Sequence, residues 1–292
     1  ARAADPVIAA AGDIACDPLQ ASYNGGNGTS NSCHMKQVSD LLVGQGYAAV
    51  LPLGDNTYYC GSLKAFRQSY GPTWGRVLGI TRPVVGNHEY LTTPAADRTD
   101  CTQANAGAAG YFDYFGAAAG ERGKGYYSYD LGSWHLIALN SNCSDAGGCS
   151  TTSPQGRWLA ADLAANAKPC TLAYWHIPLY SSGGRASGNM RTIWAQLQAA
   201  GVDVALTGHD HTYERFALQN QNGGLDASGI REFVVGTGGA NHTTFGAIAA
   251  NSMARNASTY GILRMALHAA SYEWTFVPEA GASYTDAGST TS

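Results

Sequence analysis

Apolar and polar positions alternate between two regimes along the chain. Val7–Ala11 and Ala48–Leu53 are unbroken apolar runs, the pattern of strands buried on both faces. Thr171–Trp175 and Val202–Thr207 read as further strands, and Pro83–Val85 as a short one. Between the first two runs Met35, Val38, Leu41 and Leu42 recur at helical spacing, closed by Gly44 and Gly46. Short helical segments are expected around 62–70. Ser153 as N-cap and Pro154 at the first helical position open a helix running to about Ala167. A further helix over Met190–Ala200 is stopped by Gly201. Tyr126–Leu131 and Trp134–Asn140 alternate around Gly132-Ser133 and predict a hairpin. Strands are expected at 212–218, 231–236, 259–268 and 271–277. Residues 21–33 and 91–110 lack periodicity and read as long loops, and the Gly/Ser/Thr tail after 280 as a fraying end. Two strand–helix–strand units result, at 7–55 and 171–209. With no repeat and no linker, residues 1–292 read as one α/β domain.

Five apolar stretches end in polar residues of one chemical kind. These are Gly12-Asp13, Gly54-Asp55 with Tyr58, Gly86-Asn87-His88, His176, and Gly208-His209-Asp210-His211. Sites in α/β sheets form beyond the carboxyl ends of strands, so these ends predict one convergent site. Asp, Asn, Tyr and His supply oxygen and nitrogen donors suited to iron, zinc or manganese. Asp13, Asp55, Tyr58, Asn87, His176, His209 and His211 are more donors than one tetrahedral ion needs, and two ions sharing a carboxylate would use them all. His209 and His211 share one side in a straight strand, whereas a turn aims them at different ions.

Composition narrows the class. The 292 residues are 45% hydrophobic and 13% charged, with a formal charge of −4 and no basic stripe, which argues against a nucleic-acid partner. No apolar stretch is long enough for a membrane span. The opening Ala1-Arg2-Ala3-Ala4-Asp5-Pro6 reads as a mature end whose targeting segment has been removed. Six of seven cysteines lie in Gly-, Asn- and Ser-rich stretches, which fits disulfides in an exported protein. Cys143–Cys149 is the nearest pairing, Cys16–Cys33 and Cys60–Cys101 follow, and Cys170 is left as a buried thiol. Free thiols in a cytosolic protein are the competing reading.

The five blocks, in this order, resemble the metallophosphoesterase superfamily and, within it, the purple acid phosphatases. Gly54-Asp55-Asn56-Thr57-Tyr58 matches their G-D-x-x-Y, Gly86-Asn87-His88-Glu89 their G-N-H-E, and Gly208-His209-Asp210-His211 their G-H-x-H. The resemblance covers residues 7 to about 240 and implies a four-layer α/β/β/α sandwich. It implies a ferric ion on Asp13, Asp55, Tyr58 and His211, and a divalent ion (zinc, iron or manganese) on Asp55, Asn87, His176 and His209. Many relatives carry a histidine two residues after the first aspartate. Ala15 stands there instead, and the Tyr58 phenolate replaces that donor. The implied reaction is hydrolysis of phosphate monoesters outside the cell by a metal-bound hydroxide, with His88 as proton donor. Small phosphorylated substrates and inorganic phosphate are then its partners. The small N-terminal domain of plant-like members is expected to be absent, because the first motif begins at Gly12.

One departure stands out. Where relatives place another histidine nine or ten residues after the His176 position, this chain has Ser181-Ser182-Gly183-Gly184-Arg185. Arg185 either clamps phosphate through paired hydrogen bonds or is a surface loop residue. Gly236-Thr237-Gly238-Gly239 matches a family loop near the site or forms a plain tight turn, with His242 close by. His135 reads as structural, His34 and His268 show no partner pattern, Asp210 is expected to point away, and Asp17 and Glu89 either support the ligands or are solvated. Phosphodiester hydrolysis on nucleotides or phospholipids is the alternative chemistry. A non-catalytic metal- or phosphate-binding protein is the alternative class.

Overall fold

The computed structural model describes residues 4–292, so the first three residues of the proposed mature end lie outside it. Its strands are β1 (Val7–Ala11), β2 (Ala49–Pro52), β3 (Tyr127–Leu131), β4 (Trp134–Ala138), β5 (Cys170–Tyr174), β6 (Val204–Thr207), β7 (Tyr213–Phe216), β8 (Arg231–Val235), β9 (Ser252–Asn256), β10 (Gly261–Leu267), β11 (Ser271–Pro278) and β12 (Ala287–Thr291). Its α-helices are α1 (Met35–Asp40), α2 (Leu63–Ala65), α3 (Ala109–Phe115), α4 (Pro154–Ala165) and α5 (Arg191–Ala199). One sheet runs β12-β11-β10-β1-β2 and the other β3-β4-β5-β6-β8-β7-β9. Both strand–helix–strand units are present as parallel pairs, β1 with β2 and β5 with β6.

Side-chain alternation stacks the layers. Tyr272, Trp274 and Phe276 of β11 meet Trp134, Phe233 and Tyr213 of the other sheet with ring centroids 5.8, 5.7 and 4.7 Å apart. Ile8 and Ala10 share that inner face through their pairing with Met265 and Leu263 of β10. From the larger sheet Leu136, Leu172, Tyr174, Val204 and Leu206 join the same buried cluster. Their neighbours Ile137, Ala173 and Ala205 point the other way and pack with Leu159 of α4 and Ile193, Trp194 and Leu197 of α5. On the smaller sheet α1 contributes Met35 and Val38 to the first cluster. The result is an α/β/β/α sandwich.

Several local expectations are corrected. Pro83–Val85 forms only an isolated bridge, Leu53 with Val84, with Arg82 and Val84 donating backbone N–H groups to Val50 O and Pro52 O of β2 at 2.8 and 2.9 Å. The tail after 280 does not fray: β12 pairs with β11 at the sheet edge. The helix from Met35 stops at Asp40 and continues as a turn. Segment 21–33 contains a 3₁₀ turn at Ala21–Gly26. Segment 91–110 holds another at Gln103–Ala108 and leads into α3, whose Tyr111, Phe112 and Phe115 are buried. The edge strand β9 has no periodic signal of its own. Disulfides join Cys16–Cys33, Cys60–Cys101 and Cys143–Cys149, and Cys170 is a buried free thiol.

Candidate metal centre

The carboxyl ends of β1, β2, β5 and β6 meet at one point, and backbone bonds between the two sheets hold them there. Gly12 N donates to Val235 O at 2.8 Å, and Gly238 N donates to Gly12 O at 2.8 Å. Asp13 Oδ2 accepts the backbone N–H of His209 at 2.7 Å. Asp13, Asp55 and His209 adopt left-handed φ values of 59°, 46° and 69°. Side chains at such positions carry strain that the surrounding structure must hold, a pattern concentrated at functional sites. Two glycines are required by close approach: a Cβ at Gly86 would overlap Asp55, and one at Gly236 would overlap the Asp210 carbonyl.

Two donor clusters form. In the first, Tyr58 Oη lies 3.0 Å from Asp13 Oδ1, 3.0 Å from His211 Nε2 and 3.3 Å from Asp55 Oδ2. In the second, His176 Nε2 lies 3.1 Å from Asn87 Oδ1, 3.2 Å from His209 Nδ1 and 3.3 Å from Asp55 Oδ2. The Asp55 Oδ2 atom belongs to both. Asp55, His176 and His209 each bring a donor atom within 4.8 Å of the other two. The chain turns after β6, so His209 faces His176 while His211 faces Asp13 and Tyr58.

Backbone carbonyls orient the rings. His176 Nδ1 donates to Leu53 O and His211 Nδ1 to Asn241 O, both at 2.7 Å, which turns each Nε2 lone pair inward. His88 Nδ1 donates to Tyr59 O at 2.6 Å, leaving Nε2 3.9 Å from Asp55 Oδ2. Burial works to raise the Asp55 carboxyl, but the fields of His176 and His88 hold it well below the usual range. Burial opposes charge on His176, yet Asp55 pushes it up to about 9. Burial and the neighbouring His176 push His209 down to about 4. Burial and the Asp13 and Asp55 charges push the Tyr58 phenol well above its ordinary value. Two carboxylates, three imidazoles, an amide oxygen and a phenol oxygen thus converge at contact distances of 3.0–3.3 Å within the two clusters, and such oxygen and nitrogen donors fit metal cations.

Buried polar residues support the clusters. Glu89 Oε1 accepts the backbone N–H of Asn56 (2.7 Å) and Thr57 (3.3 Å), and Oε2 that of Gly86 (2.7 Å). Burial and the Asp55 charge push its carboxyl up to about 8, against the pull of those donors. Asp17 accepts the N–H of Leu19 (2.8 Å) and Tyr59 (3.1 Å), tying the 16–33 segment to the Tyr58 loop. Both residues are support rather than solvated surface. The Leu53 and Asn241 carbonyls carry no sequence signal, because any residue type offers one. His242 lies beside His211, its Nδ1 donating to the His211 carbonyl at 3.2 Å. His135 is structural, held between Asp130 and Asp162 at 2.8 and 2.9 Å. His34 and His268 have partners after all, Glu279 and Asp5, both at 2.7 Å across long sequence separations.

Arg185 stands apart from the donors and lines the cleft beside Tyr58, His88 and His211. Its guanidinium has no acceptor among the described residues, while its backbone N–H donates to Asp210 Oδ2 at 3.3 Å. Asp210 therefore holds this loop. Glu214 accepts from the Ser182 N–H and hydroxyl (2.7 and 2.6 Å), and Glu232 from the Leu179 and Tyr180 N–H groups (both 3.1 Å). Burial pushes the Glu232 carboxyl from 4.5 up to about 8. The folded state thus holds this proton more tightly than the unfolded state does. That stabilisation is full below pH 4.5 and is lost as pH rises towards 8. The melting midpoint is expected to fall between pH 5 and pH 9, and to fall less in Glu232→Gln. Equal slopes in calorimetric scans of both proteins would refute this.

A family model described as calcineurin-like phosphoesterase matches residues 8–213. Purple acid phosphatase 18 of Arabidopsis thaliana is 31% identical over 128 residues, which are 41% of this chain and 28% of that one. The chain spans less than half the length of the curated relatives it matches. Among solved structures, a purple acid phosphatase from yellow lupin (Lupinus luteus) seeds superposes with a TM-score of 0.79 at 18% identity, covering 99% of this chain and 54% of that one. GAP50, the anchor in the inner membrane complex of Plasmodium, superposes with a TM-score of 0.66 at 15% identity, covering 97% and 88%. At these identities the likeness is one of fold, and the chemistry rests on the site.

Proposed function

This chain belongs to the calcineurin-like phosphoesterase family, and we propose that it is a phosphatase of the purple acid type, hydrolysing phosphate monoesters with two bound metal ions. One observation carries the reading: Asp55 Oδ2 is common to both donor clusters, 3.3 Å from Tyr58 Oη and 3.3 Å from His176 Nε2. Asp13, Asp55, Tyr58 and His211 would hold a ferric ion. Asp55, Asn87, His176 and His209 would hold a divalent one. Such a pair neutralises phosphate charge and raises the acidity of water.

The chain's own groups do the rest. Protonated His88 gives one N–H to Tyr59 O and presents the other, on Nε2, to the leaving alcohol oxygen as general acid. Its side chain is 23% exposed, so an ester can reach it. Asn87 Oδ1 orients towards the second cluster. Arg185 sets two N–H groups against the non-bridging phosphate oxygens, a role supported by its unpaired guanidinium. Residues 1–292 act as one catalytic domain in this reading. The three disulfides support an exported, oxidising setting, and no helix among the described residues is long and apolar enough to cross a membrane.

Metal analysis with a visible spectrum, on protein purified without added metal, tests the centre. Near-stoichiometric iron and a broad visible band are expected. Tyr58→Phe should abolish the band and leave the melting midpoint close to that of the parent. Zinc or manganese without a band would remove the ferric–tyrosinate assignment. Absence of phosphate-ester hydrolysis by the metal-loaded protein would overturn the enzyme reading itself.

A further inference from the structure

The donor clusters open into a cleft of about 700 Å³, far more than one phosphate group occupies and within the roughly 300–1,000 Å³ of small-molecule sites. Its reacting end carries Tyr58, His88, Arg185 and His211. Leu19, Gln20, Ala21, Ser22 and Ser32, all inside the Cys16–Cys33 loop, supply another wall of the same cleft. From this wall the geometry points to the class of ester: the cleft accepts phosphate monoesters of a hydroxyl-rich, otherwise uncharged alcohol, such as a nucleoside or a sugar, and the 16–33 loop selects for it. The inference rests on the phosphoesterase reading and names its substrate class.

Three features carry it. The wall is fixed to the site rather than hanging free. Asp17 bonds both Leu19 N and Tyr59 N, Ser32 bridges to Asn241, and the Cys16–Cys33 disulfide closes the loop. An alcohol held there is therefore held in register with His88 and Arg185. The wall offers an amide and two hydroxyls for hydroxyl groups, and Leu19, 46% exposed, for an apolar ring face. Charge excludes polyanions: among the described residues Arg185 is the one lysine or arginine in the lining, and Asp97 sets a carboxylate against a second phosphate.

Adenosine 5′-monophosphate and ethyl phosphate test the inference, since both release a primary alkoxide and differ in the alcohol. The metal-loaded parent is expected to favour the nucleotide in kcat/KM by at least tenfold. Ala21→Trp, which fills the cleft from an exposed turn, should lower that ratio at least tenfold. The double variant Gln20→Ala/Ser22→Ala should lower it by removing hydrogen bonds without adding bulk. A parent ratio near one, or a ratio unmoved in both variants, overturns the inference while leaving the phosphoesterase reading intact. A parent inert on both esters overturns the two together.

Discussion

Asp55→Asn is expected to strip both ions of the proposed pair and to lower turnover by roughly 10⁴-fold or more, the scale on which removal of one member of a catalytic unit acts. The argument is geometric. Asp55 Oδ2 is the atom common to the two donor clusters, and its charge is the field that pushes His176 up to about 9. An amide keeps the shape but turns either a neutral oxygen or an N–H donor towards both clusters. Asparagine also tolerates the left-handed backbone at φ 46°, so the fold is not placed at risk. Asp13→Asn supplies the contrast. Asp13 touches Tyr58 and His211 but not Asn87, so it should empty the first position and spare much of the second. Metal content per chain, read alongside melting curves, distinguishes the two. Full occupancy of both positions in Asp55→Asn would contradict the shared-ligand assignment.

His88→Ala should leave both ions bound and slow turnover by roughly 10²–10⁴-fold. The His88 side chain makes no hydrogen bond to an ion donor: its Nε2 is 3.9 Å from Asp55 Oδ2 and its Nδ1 is taken by Tyr59 O, while the backbone N–H that donates to Asp55 Oδ1 at 2.9 Å is kept in the alanine variant. A proton donor matters most when the departing alkoxide is basic. The loss is therefore expected to be large for alkyl phosphates and small for esters of acidic phenols. Equal losses across such a series, with metals retained, would make His88 a positioning group.

Much of this was legible along the chain because strands and metal ligands both leave local marks. Buried parallel strands are apolar runs, and the Gly-Asp, Gly-Asn-His and Gly-His-x-His punctuation follows them directly. Loop composition pointed to six cross-linked cysteines, and pairing neighbours along the chain, starting from Cys143–Cys149, matches the three disulfides. Elements without a local signal were missed. β12 is a Gly/Ser/Thr stretch made a strand by the open edge of β11, and β9 by the edge of β7. Glu89 and Asp17 look like ordinary surface acids in sequence, yet both are buried under backbone N–H groups that arrive from other loops. His34 and His268 find partners hundreds of residues away.

The amino-acid order by itself determined the fold class, the two parallel strand–helix–strand units and the family, because periodicity and motif spacing are properties of neighbouring residues. The family resemblance implied a shared Asp55 and separate ions for His209 and His211; only the tertiary structure put a single Asp55 oxygen at both clusters and brought the 16–33 loop into the lining of the cleft. Those facts depend on the relative placement of two sheets and on left-handed turns at Asp13, Asp55 and His209. Contacts between distant segments are set by packing and hydrogen bonding in three dimensions, and no local pattern encodes them.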